Sequence, residues 1–236
     1  MDELSQTKVD SSLADEPRPR VIELRDVSLK ADRGGHVFRD LNLSVETGRS
    51  AVIIGSAGSG KTTLLELLIG LRFAETGTVE VFGREIRRRR RGAIRKIRRK
   101  IGGVGGPFGL MPMLTVSENI CLPLVLAAER KRIKQERLLK MLTEFSLLKV
   151  ASKYPSNLTR VETSMVQYAR ASIAFQPLLL IDEPSAGLDP HSYERIFTYL
   201  TREALSGRSM VIFMSEPPEA QIPNSDTYRL VSGALE

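Results

Sequence analysis

The chain has 236 residues, 42% hydrophobic and 27% charged, which is a globular composition and excludes a disordered polymer. The length suits one domain, with or without a subdomain, and is too short for two independent enzyme domains. The net charge of +7 arises in one place: residues 84–100 hold eleven basic side chains and one acid, Glu85, while the rest carries 24 basic and 27 acidic groups.

Residues 1–19 read as a polar flexible tail, and its acidic start, Met1-Asp2-Glu3, is unlike a signal peptide. Residues 21–27 and 41–45 alternate apolar and polar as half-buried strands do, with a turn at Arg33-Gly34-Gly35 between them. Ala51-Val52-Ile53-Ile54 is a short continuous apolar run, the pattern of a parallel strand buried on both faces. Another strand covers residues 78–82. Helices are expected over 116–150 and 161–175, and further buried strands over 178–181 and 210–214. The longest apolar run, 121–128, is interrupted by Pro123 and falls short of the roughly 18 residues a membrane span needs. The lone cysteine, Cys121, leaves no internal disulfide framework and reads as a packing residue. Strands alternating with helices imply an α/β fold around a mostly parallel sheet.

Gly55-Ser56-Ala57-Gly58-Ser59-Gly60-Lys61-Thr62 matches G-x-x-x-x-G-K-[ST] in full, and Thr63 opens the helix that follows. A buried strand leads in and an amphipathic helix leads out, which is the context the motif requires. Backbone N–H groups of such a loop converge on phosphate oxygens, and the helix N-terminus adds positive potential. Lys61 is placed to reach the β- and γ-phosphates and the Thr62 hydroxyl to ligate Mg²⁺. The strand at 178–181 ends in Asp182, a carboxylate at the sheet edge for the Mg²⁺ shell, and Glu183 stands next to polarise water.

With Ser185-Ala186-Gly187-Leu188-Asp189-Pro190 added, residues 20–236 resemble the ATP-binding cassette (ABC) ATPases. The resemblance implies a P-loop α/β core with a mostly parallel sheet, an antiparallel β portion, and a helical subdomain at about 107–175. It also implies ATP and Mg²⁺ as ligands, and a head-to-tail dimer with a second ABC subunit that sandwiches two ATPs.

Several family positions differ. Leu158-Thr159-Arg160-Val161-Glu162 replaces the Leu-Ser-Gly-Gly-Gln signature, so side chains stand where a partner's γ-phosphate approaches backbone N–H groups. Thr159 and Glu162 keep the capping box, and Arg160 is either an obstruction or a compensating cation. The loop that ends in Phe-Gln reads Gly105-Gly106, and the switch histidine falls near Ser215. The adenine-stacking aromatic falls near Ala31, with Phe38 as a substitute. Losing one stabilising donor costs roughly 100- to 1000-fold in rate. ATP binding is therefore expected to persist and hydrolysis to be slow.

The basic segment runs through Arg87, Arg88, Arg89, Arg90, Arg91, Arg95, Lys96, Arg98, Arg99 and Lys100, with Ile94, Ile97 and Ile101 on one helical face. It reads as a solvated surface helix or as a contact for an anionic membrane surface or acidic partner. Nucleic acid is the weaker alternative, because no aromatic residue there could stack on bases.

Phrases at 114–120, 154–158 and 182–190 resemble ATPases of Mla/Mce-type lipid transport, and nearly as much the FtsE/LolD type. The implied role is an ATP-binding subunit, peripheral on the cytoplasmic face of the inner membrane, coupled to a separate transmembrane permease. The alternatives are an ATP-dependent regulatory or structural protein with little turnover, and a nucleic-acid-associated ATPase.

Overall fold

The computed structural model describes residues 18–31 and 35–236. Most of the expected tail, and residues 33 and 34 of the expected turn, lie outside the described residues.

Strands β1 (Arg20–Lys30) and β2 (His36–Glu46) form an antiparallel pair. Strand β3 (Ser50–Ile54) runs into helix α1 (Lys61–Leu68). Strands β4 (Thr76–Val81) and β5 (Arg84–Glu85) complete a four-stranded antiparallel sheet in the order β2-β1-β4-β5. Helix α2 (Arg91–Arg98) leads to strand β6 (Ile101–Val104). Helices α3 (Val116–Leu126), α4 (Lys131–Glu144) and α5 (Arg160–Ser172) follow, then strand β7 (Leu178–Asp182). Helix α6 (Pro190–Leu205), strand β8 (Ser209–Met214) and the hairpin of β9 (Ser225–Val231) and β10 (Ala234–Leu235) close the chain.

The main sheet has the order β10-β9-β3-β8-β7-β6. Its strands β9, β3, β8, β7 and β6 are parallel, and β10 is antiparallel to β9. Its apolar runs are continuous because both faces are covered. Ala51, Ile53, Leu178, Leu180, Val211 and Phe213 face the core shared with α1 and the antiparallel sheet. Val52, Leu179, Ile181, Met210, Ile212 and Met214 face the core shared with α3–α6. The loop from β6 to α3 is pinned from below. The buried Arg170 guanidinium donates to the carbonyls of Phe108 and Gly109, and the buried Asn119 amide to those of Met111, Leu114 and Thr115.

The expected helix over 116–150 is two helices and a short 3-10 turn. The bend falls at residues 127–130, and Ala128 takes a positive φ of 55° there. Ile94 and Ile97 are buried under α2 as their spacing predicts, at 5% and 1% exposure. Ile101 is not on that helical face: α2 ends at Arg98, and Ile101 opens β6 beside Leu178. Among the described residues, no helix is long and apolar enough to cross a membrane.

Candidate nucleotide site

Three parallel strands end side by side, and each delivers one part of the site. β3 runs into the loop at Gly55, β7 ends at Asp182, and β8 ends one residue before Ser215. Inter-strand bonding continues past the strand ends: Gly55 N–H donates to Met214 O at 3.0 Å and Glu183 N–H to Phe213 O at 2.9 Å. This is the carboxyl edge of an open α/β sheet, where such folds bind ligands.

Gly60 is the N-cap of α1, with φ +106° and no side-chain cap. The first-turn N–H groups are therefore open to an anion. Ser59 Oγ is buried without a hydrogen-bond partner, which suits a site that expects an acceptor. Lys61 is 7% exposed, so its ammonium needs partners. It donates to Gly55 O, to Ser56 O at 3.2 Å and to Ser215 Oγ at 3.4 Å, and it pairs with Glu183 Oε1 at 3.3 Å.

Thr62 Oγ1 faces Asp182 Oδ2 at 3.5 Å. A hydroxyl and a carboxylate are the donors Mg²⁺ takes when phosphates supply the remainder. Burial, followed by the adjacent Glu183 charge, pushes the Asp182 carboxyl above the usual range, against the pull of Lys61 and Thr62. A divalent cation at Asp182 would relieve that penalty, so these residues fit the metal. Ser56, Ala57 and Gly58 complete the loop, and Thr63 follows half-buried on α1.

The unusual positions are filled in definite ways. Ser215 stands where the histidine was expected and holds Glu183, its N–H donating to Oε2 at 3.2 Å and its hydroxyl to Oε1 at 2.5 Å. Glu183 itself has φ +52°. Neither histidine replaces Ser215: His191 lies in the first turn of α6, and His36 opens β2. Gly105 and Gly106 lie against Asp182, and a Cβ on Gly106 would sit 2.6 Å from Asp182 Oδ2. Gly105 N–H donates to Gln167 Oε1 at 2.9 Å.

Sequence reasoning missed Gln167. Its spacing from Arg160, Thr163 and Ser164 marks one face of α5, and all four line a cavity of about 460 Å³ with Asp182 and Glu183. The capping box at Thr159 and Glu162 is present, closed by Thr159 N–H to Glu162 Oε2 at 2.7 Å and Glu162 N–H to Thr159 Oγ1 at 3.1 Å. The Arg160 side chain folds back over Gly187 of the same chain, Cδ lying 3.2 Å from where a Gly187 Cβ would be.

Phe38 does not serve as a stacking ring. It is fully buried, with its ring packed under Gly60. A second cavity, of about 870 Å³, runs from the phosphate loop to Ala31, His36, Val37, the end of β9 at 229–231 and the β9–β10 turn at 232–233. Sequence reasoning also missed that turn, although Gly233 and the alternation before it were the signals.

The family model described as ABC transporter matches residues 38–186. This chain belongs to the ABC transporter family. Cassettes of this family bind ATP with Mg²⁺, and ATP hydrolysis is their characteristic activity. The cassette is 34% identical over 180 residues to the methionine import ATP-binding protein MetN of Brucella abortus (strain 2308), covering 76% of this chain and 48% of that protein. The match thus spans about half the length of that relative. Identity to the cell division ATP-binding protein FtsE of Streptococcus pneumoniae serotype 2 is 29% over 212 residues, 90% of this chain and 91% of that one. The solved dimer of the bacterial ABC transporter cassette MJ0796 superposes with a TM-score of 0.82 at 28% identity, covering 91% of this chain and 96% of the other. The same cassette in a post-hydrolysis state bound to ADP and Pi gives 0.80 at 27% identity.

Proposed function

We propose that the cassette is the ATP-binding subunit of a membrane transport complex, working at the cytoplasmic face of the inner membrane with a separate transmembrane permease. The observation that carries the reading is the facing pair Thr62 and Asp182, 3.5 Å apart beside Lys61 and an uncapped helix N-terminus. Gly55, Ser56, Ala57, Gly58, Ser59, Gly60 and Thr63 cradle the phosphates, Lys61 engages the β- and γ-phosphates, and Thr62 with Asp182 holds Mg²⁺. Glu183 polarises the attacking water. Residues 20–236 make up the cassette, with 107–175 as its helical subdomain. A second ABC subunit completes each site head-to-tail, a reading supported by the dimeric relative.

Hydrolysis is slow in this reading. Glu183 is engaged by Ser215 and Lys61, and the signature carries Arg160 and Val161. Purified protein, alone and with its membrane complex, should turn over below about 1 s⁻¹, the low end of ordinary enzymes. Faster turnover that Glu183→Gln abolishes would overturn the slow-hydrolysis reading. Calorimetry giving equal ATP affinity for wild type and Lys61→Ala would overturn the site itself. The near full-length match to FtsE supports a second reading, a regulatory cassette that dimerises on ATP and barely hydrolyses it. Single-turnover assays with and without membrane partners separate the two.

The cargo we propose is lipid, from the phrases at 114–120, 154–158 and 182–190; co-purification of amino acids with the complex would redirect it. The basic segment is the proposed membrane contact. Arg89, Arg90, Arg91, Arg95, Lys96 and Arg99 are all exposed on or beside α2. Binding to anionic liposomes should fall as salt rises, because screening shortens the field to about 8 Å at physiological strength. Salt-independent binding, or none, would make the segment an ordinary solvated face.

A further inference from the structure

The turn beside Asp182 is held by one helix. The chain leaves β6 at Gly105, and Gly105 N–H donates to Gln167 Oε1 of α5 at 2.9 Å. Phe108 N–H donates to Gly105 O at 2.9 Å, which closes a turn over residues 105–108. Further along α5, Arg170 donates to Phe108 O and to Gly109 O, at the other end of that turn. Gln167 and Arg170 are three residues apart and so share one face of α5. Two side chains of one helix thus anchor opposite ends of one short loop.

The Gln167 end is the one that touches the site. Val104 pairs with Ile181 at the end of β6, which sets Gly105 and Gly106 beside Asp182. A Cβ on Gly105 would lie 2.2 Å from Asp182 O, and one on Gly106 would lie 2.6 Å from Asp182 Oδ2. The turn is therefore packed on Asp182 with no side chain between them. Asp182 Oδ2 is the atom that faces Thr62 Oγ1 at 3.5 Å. A shift of Gly105 passes by direct contact to the oxygen that would meet Mg²⁺.

We propose that Gln167 is a positioning residue for Mg²⁺: by accepting from Gly105 N–H, it keeps the Gly105-Gly106 turn against Asp182 and holds that carboxylate toward Thr62. Groups one step removed from a metal orient the ligands that touch it. The proposal rests on the reading of Thr62 and Asp182 as the metal site. Arg170 still holds the far end of the turn when Gln167 is replaced, so the loss is confined to the end beside Asp182.

The test is calorimetry on the full chain, titrating ATP with Mg²⁺ and ATP with EDTA into wild type, Gln167→Met and Gln167→Glu. Methionine keeps the length and removes the acceptor; glutamate keeps the acceptor. Loss of an outer-shell partner costs about 10- to 100-fold in metal affinity, so Gln167→Met should weaken Mg-ATP binding by about that factor. Its affinity for ATP in EDTA should be unchanged, which also shows that the variant is folded. Gln167→Glu should retain Mg-ATP binding. Amide hydrogen exchange in the Mg²⁺-free protein should be faster at Gly105 in Gln167→Met than in wild type. Wild-type Mg-ATP affinity in Gln167→Met, equal losses with and without Mg²⁺, or a loss in Gln167→Glu as large as in Gln167→Met would overturn the role of Gln167. Wild type that binds ATP equally with and without Mg²⁺ would overturn the metal site, and the proposal with it.

Discussion

Replacing Gly106 with glutamine puts back the residue that ABC cassettes usually carry there, and a reading of residue types alone expects faster hydrolysis. The structure predicts the opposite. Gly106 has φ +42°, and its Cβ would sit 2.6 Å from Asp182 Oδ2 and 3.4 Å from Asp182 Cγ. Left-handed backbone costs an L-residue about 1–2 kcal/mol. At roughly 2–4 °C per kcal/mol for a chain of this size, the melting temperature should fall by about 2–8 °C. The clash adds a functional loss, because Asp182 Oδ2 is the same atom that faces Thr62 Oγ1. Gly106→Gln and Gly106→Ala should therefore both melt lower and lose Mg²⁺-dependent ATP affinity, without gaining turnover. Thermal melts with and without Mg-ATP, together with a phosphate-release assay, measure all three. A Gly106→Gln variant with wild-type stability and faster hydrolysis would refute the argument and make Gly106 a simple missing ligand.

Asp182→Asn should raise the melting temperature of the Mg²⁺-free protein at pH 7 and abolish its stabilisation by Mg²⁺. The Asp182 carboxyl is pushed above its ordinary value in the fold, so ionising it removes stability as pH rises through the folded value. The gain from asparagine should vanish as pH falls toward the ordinary carboxylate value of about 3.9, and melts at pH 4 and 7 check the sign. Ile97, 1% exposed under α2, should cost about 2–5 kcal/mol as Ile97→Ala, read by chemical denaturation. Thr159→Ala should cost about 1 kcal/mol by removing the acceptor for Glu162 N–H, with the loss seen in the same assay.

The phosphate loop was legible because its chemistry is local: a buried strand, a glycine-rich turn and a helix start follow one another in the chain. The same holds for the capping box at Thr159 and the buried isoleucines at 94 and 97, whose spacing matches the helical repeat. β6 was not legible. Ile101 shares the helical spacing of Ile94 and Ile97, yet Ile101-Gly102-Gly103-Val104 is a strand that pairs with β7. A Cβ on Gly102 would lie 2.2 Å from Ala171 O, so glycine is there because α5 passes close by. Phe38 looked available for stacking because burial does not show in a strand's residue types.

The sequence alone singled out the groups proposed to meet a phosphate: Lys61, Thr62, Asp182, Glu183 and an open helix start. Tertiary structure alone decided what surrounds them. Ser215 meets Glu183 because β7 and β8 are neighbours, Gln167 reaches Gly105 because α5 lies across β6, and the β9–β10 turn walls the larger cavity because Gly233 accepts from Arg39 N–H of β2. These contacts join residues 32, 62 and 194 or more positions apart in the chain. No local periodicity encodes such pairings; they are set by how two cores on opposite faces of one parallel sheet close together.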